Sequence, residues 1–88
     1  MSKRRVVITG MGIVSPVGND LKTAWDNISN GRSGVGQITS FDASAYVTRI
    51  AGEVRDFDIT RWVNPKDARK MDTFIHYGIA AAAQAVAD

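Results

Sequence analysis

No cysteine occurs among the 88 residues. Its absence excludes a disulfide framework, a thiolate metal site and a thiol nucleophile, and leaves the cytoplasm as the expected compartment. Long apolar runs are missing too. No stretch approaches the roughly 20 apolar residues that a membrane-spanning helix needs, so no membrane anchor is expected. The cationic start, Lys3-Arg4-Arg5, leads only into Val6, Val7 and Ile8, too short a run for the apolar centre of a signal peptide. Charge of one sign is also scarce. Eleven Lys and Arg against nine Asp and Glu give a net +2, without the one-sided run of a polyanion binder, so nucleic acid is not an expected partner. Asp56 and Asp58 are the nearest approach to a metal pair. Helix capping accounts for them and no further ligands accompany them, so neither metal nor cofactor is expected.

What is present is ordinary for a globular chain: 44% apolar and 23% charged residues, enough for one small domain with a modest core. Residues 4–20, RRVVITGMGIVSPVGND, organise the rest. A β-branched run (Val6, Val7, Ile8) between polar residues and Gly10 reads as a central strand covered on both faces. Asn19 or Asp20 then caps a helix running to about Asn30, with Leu21, Ala24, Trp25 and Ile28 on one apolar stripe. Asn30-Gly31 suits its end, because both residues tolerate the left-handed conformation.

Residues 31–46 read as a loop anchored by Val35, Ile38, Phe41 and Tyr46. A short strand is expected within 47–54, with Gly52 marking a bulge or a close backbone approach. Asp56 or Asp58 caps one helical turn over 59–63. Asn64-Pro65 opens a short helix over 65–70, since Asn caps well and Pro fits the first helical position. Asp72 is placed to cap a longer helix holding six alanines between Phe74 and Ala87. Alanine favours helix and permits close approach of a neighbour. Such a helix exposed in a small domain buries too little to hold its place, so it is expected to be covered by something large. No second parallel strand returns after it, and the chain is expected to belong to a larger protein.

Gly10-x-Gly12 after a strand invites comparison with a dinucleotide-binding turn. The third glycine of that fingerprint is replaced by Ser15, and Pro16 stands where its helix should be under way. No acidic strand end follows to hold a ribose, and no P-loop lysine follows Gly18. A degenerate Rossmann-type unit is therefore the weakest of three readings. A stand-alone binding module for an acidic partner is the second.

The first rests on a resemblance. RRVVITGMGIVSPVGN, GRSGVGQITSFDASAY, AGEVRDFD and KDARKMDTFIHYGIAAAAQA resemble, in order, the N-terminal region of the β-ketoacyl-acyl carrier protein synthases, and most closely the type II elongation synthases. The resemblance implies an α/β, thiolase-like fold with α-β-α-β-α layers, of which residues 1–88 would form an incomplete N-terminal segment. It also implies a homodimeric acyltransferase of fatty-acid biosynthesis that condenses an acyl thioester with malonyl-acyl carrier protein. The family's catalytic cysteine and two histidines match no position here, so these residues alone are expected to be inactive. The one histidine, His76, is expected to be a structural or surface residue rather than a catalytic one, and Trp25 and Trp62 to be packing anchors. Lys66, Arg69 and Lys70 fall at i, i+3 and i+4, where like charges repel by a few tenths of a kcal/mol per pair. Taken alone they read as a solvated face. The resemblance implies instead that they dock the acidic recognition helix of acyl carrier protein.

Overall fold

The computed structural model describes residues 3–88; the first two positions of the expected 1–88 segment lie outside the described residues. The order is helix α1 (Leu21–Ser29), strands β1 (Val35–Gln37) and β2 (Ile50–Gly52), a 3₁₀ turn (Ile59–Arg61), and helices α2 (Pro65–Ala68) and α3 (Thr73–Ala87). Each helical start follows a capping residue. Asp20 accepts the Thr23 backbone N–H at 2.8 Å and the Thr23 hydroxyl at 3.0 Å, supplying a partner to an otherwise orphaned donor of α1. Asp58 accepts the Thr60 N–H at 3.0 Å, and Asn64 accepts that of Asp67 at 2.9 Å. Asp72 occupies the N-cap position of α3, yet its side chain makes no capping bond. Helix α1 ends at Asn30, and Gly31 follows at φ +69°, the left-handed conformation a side chain would resist.

Two expectations about strands are corrected. Residues 31–46 are not all loop: β1 pairs antiparallel with β2 in the register Val35↔Gly52, Gly36↔Ala51, Gln37↔Ile50. Val-Gly-Gln carries one strong strand former, so its local preference is weak; the pairing comes from a partner well over ten residues away. Glu53 secures the loop beyond it by accepting the Thr39 and Ser40 N–H groups at 3.0 and 3.1 Å. The second correction concerns Val6–Val7–Ile8, which form no ladder and stand 86%, 73% and 83% exposed. A strand requires hydrogen-bonding neighbours, and none of the described residues lies beside this run as one.

The glycines that follow are committed to α3. A Cβ on Gly10 would collide with the Ala85 carbonyl oxygen, and one on Gly12 with that of Ala81. The spacing has a geometric basis. Two extended residues advance about 6.7 Å and four helical residues about 6.0 Å, so alternate glycines meet successive turns of an antiparallel helix. Polar side chains lock the register. Gln84 accepts the Ile13 N–H at 3.3 Å and donates to the Asn19 carbonyl at 2.7 Å, and Asp88 accepts the Met11 N–H at 3.1 Å.

Burial is sparse. The buried apolar residues among those described are Ala24, Ala43, Ala68 and Ala80. Along the rest of the α1 stripe Leu21 is half-buried and Ile28 exposed, and Trp25 is 67% exposed, against its expected role as a packing anchor. Trp62 does serve as one, stacked on Phe57 at 5.9 Å, while Phe57 meets Tyr77 of α3 edge-on at 5.0 Å.

Candidate functional site

Two places drew attention in the sequence: the glycine turn and the basic segment. At the turn, Ser15 and Gly18 exchange backbone hydrogen bonds of 3.0 and 3.2 Å across Pro16-Val17, and the Ser15 hydroxyl reinforces them by donating to the Gly18 carbonyl at 3.0 Å. A closed turn therefore occupies the position where a dinucleotide site would begin its helix. Helix α1 starts later, and the Asp20 carboxylate already fills its positive end. The Thr23 backbone and hydroxyl bonds hold that carboxyl below its ordinary value of 3.8, with smaller help from Arg61 and Lys22. An open cleft of ≈ 360 Å³ beside the turn includes Asp20, Arg55, Asp56 and Arg61 in its lining, balancing cations with carboxylates. With Gly10 and Gly12 packed on α3 and an anion at the helix start, the turn offers no phosphate cradle.

The Asp56–Asp58 pair is likewise used locally. Thr60 hydrogen bonds lower the Asp58 carboxyl below its ordinary range, its hydroxyl contributing most and its N–H next. Asp56 takes φ 57° where the chain turns. No group of three or more His, Cys, Asp or Glu among the described residues is arranged to hold a metal.

At the basic segment, Asn64 and Asp67 bond reciprocally: Asp67 N–H to the Asn64 oxygen, and Asn64 Nδ2 to the Asp67 carboxylate, both at 2.9 Å. Pro65 follows at the first helical position. The regular helix ends at Ala68, short of the expected Lys70. Arg69 keeps helical angles of −67° and −17°, and the Lys70 N–H closes a tighter turn on the Asp67 carbonyl at 3.1 Å. Lys66, Arg69 and Lys70 are all exposed on this helix and its closing turn. Arg61, the fourth cation of the segment, lies over Trp62 at 5.1 Å. Sequence reasoning missed what holds α2 in place: His76 Nε2 of α3 lies 2.9 Å from the Ala68 carbonyl oxygen, and the Ala68 methyl is buried. Of the structural and surface roles open to His76, this contact is a structural one.

Residues 3–88 match the family described as Beta-ketoacyl synthase, N-terminal domain, and the chain belongs to it. The 3-oxoacyl-[acyl-carrier-protein] synthase 2 of Vibrio harveyi is 57% identical over all 88 residues, that of Vibrio cholerae serotype O1 53%, and that of Synechocystis sp. 46%. The chain spans about a fifth (21%) of the length of these relatives. Among solved structures, the ishigamide ketosynthase/chain length factor superposes with a TM-score of 0.82 at 38% identity, covering 97% of this chain and 21% of that one. The fold is thus the thiolase-like fold of the ketosynthases over the part this chain spans.

Proposed function

We propose that these residues form the N-terminal segment of a 3-oxoacyl-acyl carrier protein synthase of type II, and that Lys66, Arg69 and Lys70 dock its acyl carrier protein substrates. The observation carrying this reading is the 57% and 53% identity, without truncation of this chain, to relatives named for that activity. In the complete enzyme a cysteine thiolate takes the acyl chain as a thioester and releases the first carrier thiol. Malonyl-carrier protein then loses CO₂, and the carbanion so formed attacks the thioester carbonyl, expelling the cysteine thiolate and extending the chain by two carbons. Backbone N–H groups stabilise the oxyanion. All of those groups belong to the remainder of the enzyme, which would be a cytoplasmic homodimer. The present residues supply scaffold: the 6–8 run as a strand of the core sheet, α3 as a small-residue layer between the two halves, and α2 as a cationic face.

Exposure and sign support the docking role. Three cations stand in solvent on a capped helix and its closing turn, a field that steers an acidic partner and speeds association. The test joins these 88 residues to the remaining four-fifths of the Vibrio harveyi enzyme and measures condensation. K66E/R69E/K70E should raise KM for acyl carrier protein about tenfold or more, the sum of three exposed charge pairs, with kcat little changed. Unchanged KM at low salt would overturn the docking role, and a folded but inactive chimaera would overturn the assignment of activity. The unjoined 88 residues should show no condensation.

A further inference from the structure

We infer that His76 is a positioning residue for the basic face, holding Lys66, Arg69 and Lys70 in place through the Ala68 carbonyl; this rests on the docking role proposed above. Helix α2 has four residues, far fewer than a free-standing helix requires in water, so its orientation must come from tertiary contacts. Its N-terminus is closed by the reciprocal Asn64–Asp67 pair, which binds the helix only to its own preceding residue. Its C-terminus bonds across to another element: the Ala68 oxygen receives the Met71 N–H at 3.2 Å and faces His76 Nε2 at 2.9 Å. A carbonyl only accepts, so Nε2 carries the hydrogen, and the bond is half-buried on the first turns of α3. Ala68 immediately precedes Arg69 and Lys70. The peptide that launches two of the three cations is thereby pinned to a 15-residue helix.

Holding charges in place matters because docking an ordered face costs less than ordering it on contact. Without the bond, the Ala68 carbonyl keeps only its local turn partner, and the 69–70 turn loses its one hydrogen-bond tie to α3. The exposed cations themselves would be chemically unchanged, so the loss would fall on carrier-protein binding rather than on the condensation step.

The experiment uses the chimaera described above. Its affinity for fluorescently labelled holo-acyl carrier protein is measured by anisotropy at low salt, alongside KM and kcat. His76→Leu should raise Kd and KM by about fivefold, the weight of one net hydrogen bond, with kcat unchanged. His76→Gln, which can offer an amide N–H at a similar reach, should restore most of the affinity. Wild-type Kd in His76→Leu, whether or not its Tm falls, would overturn the inference; so would equal losses in the Leu and Gln variants. The triple charge reversal separates the two ideas. If it leaves Kd unchanged, the docking role itself fails, whereas a large loss there beside an unaffected His76→Leu removes only the role of His76.

Discussion

The 88 residues by themselves should not unfold cooperatively. A folded monomer of 9.5 kDa is expected to expose about 5,000 Å², whereas this chain exposes 7196 Å². Its radius of gyration is 16.6 Å, against about 12 Å for a compact chain of this length. The excess is roughly 2,000 Å². With somewhat over half of it apolar, the missing burial is worth at most about 30 kcal/mol at 25 cal/mol/Å². Even a third of that is comparable with the whole 5–15 kcal/mol by which domains of any kind are stable. The uncovered groups are specific: Val6 and Ile8 along the unpaired run, Trp25 on α1, Phe74 and Val86 on α3. Calorimetry and near-ultraviolet circular dichroism on the isolated chain should show no sharp transition, and a hydrophobic dye should bind it. Within the chimaera the dye should be excluded and one cooperative transition recovered. A monomeric isolated chain unfolding in one step, with a heat-capacity increase of roughly 1.1–1.3 kcal/mol/K, would refute the reasoning.

Three further outcomes are expected, the first of them in the chimaera. Gly12→Ala should cost about 3 kcal/mol in urea denaturation: its Cβ would strike the Ala81 oxygen and lie 2.7 Å from Gln84 Cβ, forcing open a packed contact and straining the Gln84 bonds. Gly78→Ala, with nothing among these residues within 4 Å of the added carbon, should in the isolated 88 residues favour α3 by up to about 1 kcal/mol, read as a gain in far-ultraviolet helix signal; a loss of that signal would contradict the open space beside Gly78. Thr23 lowers the Asp20 carboxyl below 3.8, so the cap contributes above that pH and is lost as the pH falls through the lower folded value. Carboxyl carbon-13 resonances should place the Asp20 midpoint below 3.8, and a midpoint at or above it would show that the Thr23 bonds do not form in solution.

Local chemistry wrote most of the helical boundaries into the sequence. Asp20, Asp58 and Asn64 each accept a backbone N–H two or three residues ahead, and Gly31 takes a conformation that few other residues adopt; such signals need no distant partner to be read. The exposure of Lys66, Arg69 and Lys70 follows from the same local chemistry, since long charged side chains on a short helix and its closing turn stay in solvent. β1 was not. Its strand former, Val35, is followed by Gly36 and Gln37, and the strand exists only because β2 lies alongside in register. The His76–Ala68 bond was equally hidden: a histidine in an alanine-rich helix carries no sign of which carbonyl it will meet.

Gly10 and Gly12 show where the division falls. The residues themselves established a sharp exit from a β-branched run and, with Ser15 and Pro16, the absence of a dinucleotide helix. Packing alone revealed why the glycines are there: the carbonyls of Ala81 and Ala85 occupy the space a Cβ would take. A glycine is equally compatible with a bound phosphate, a tight turn or a neighbouring helix, and the difference lies in what stands opposite it, some seventy residues further along the chain. For Val6–Val7–Ile8 the composition announces a buried strand. Its hydrogen-bonding groups still require partners that a run cannot supply to itself, and none of the described residues pairs with it.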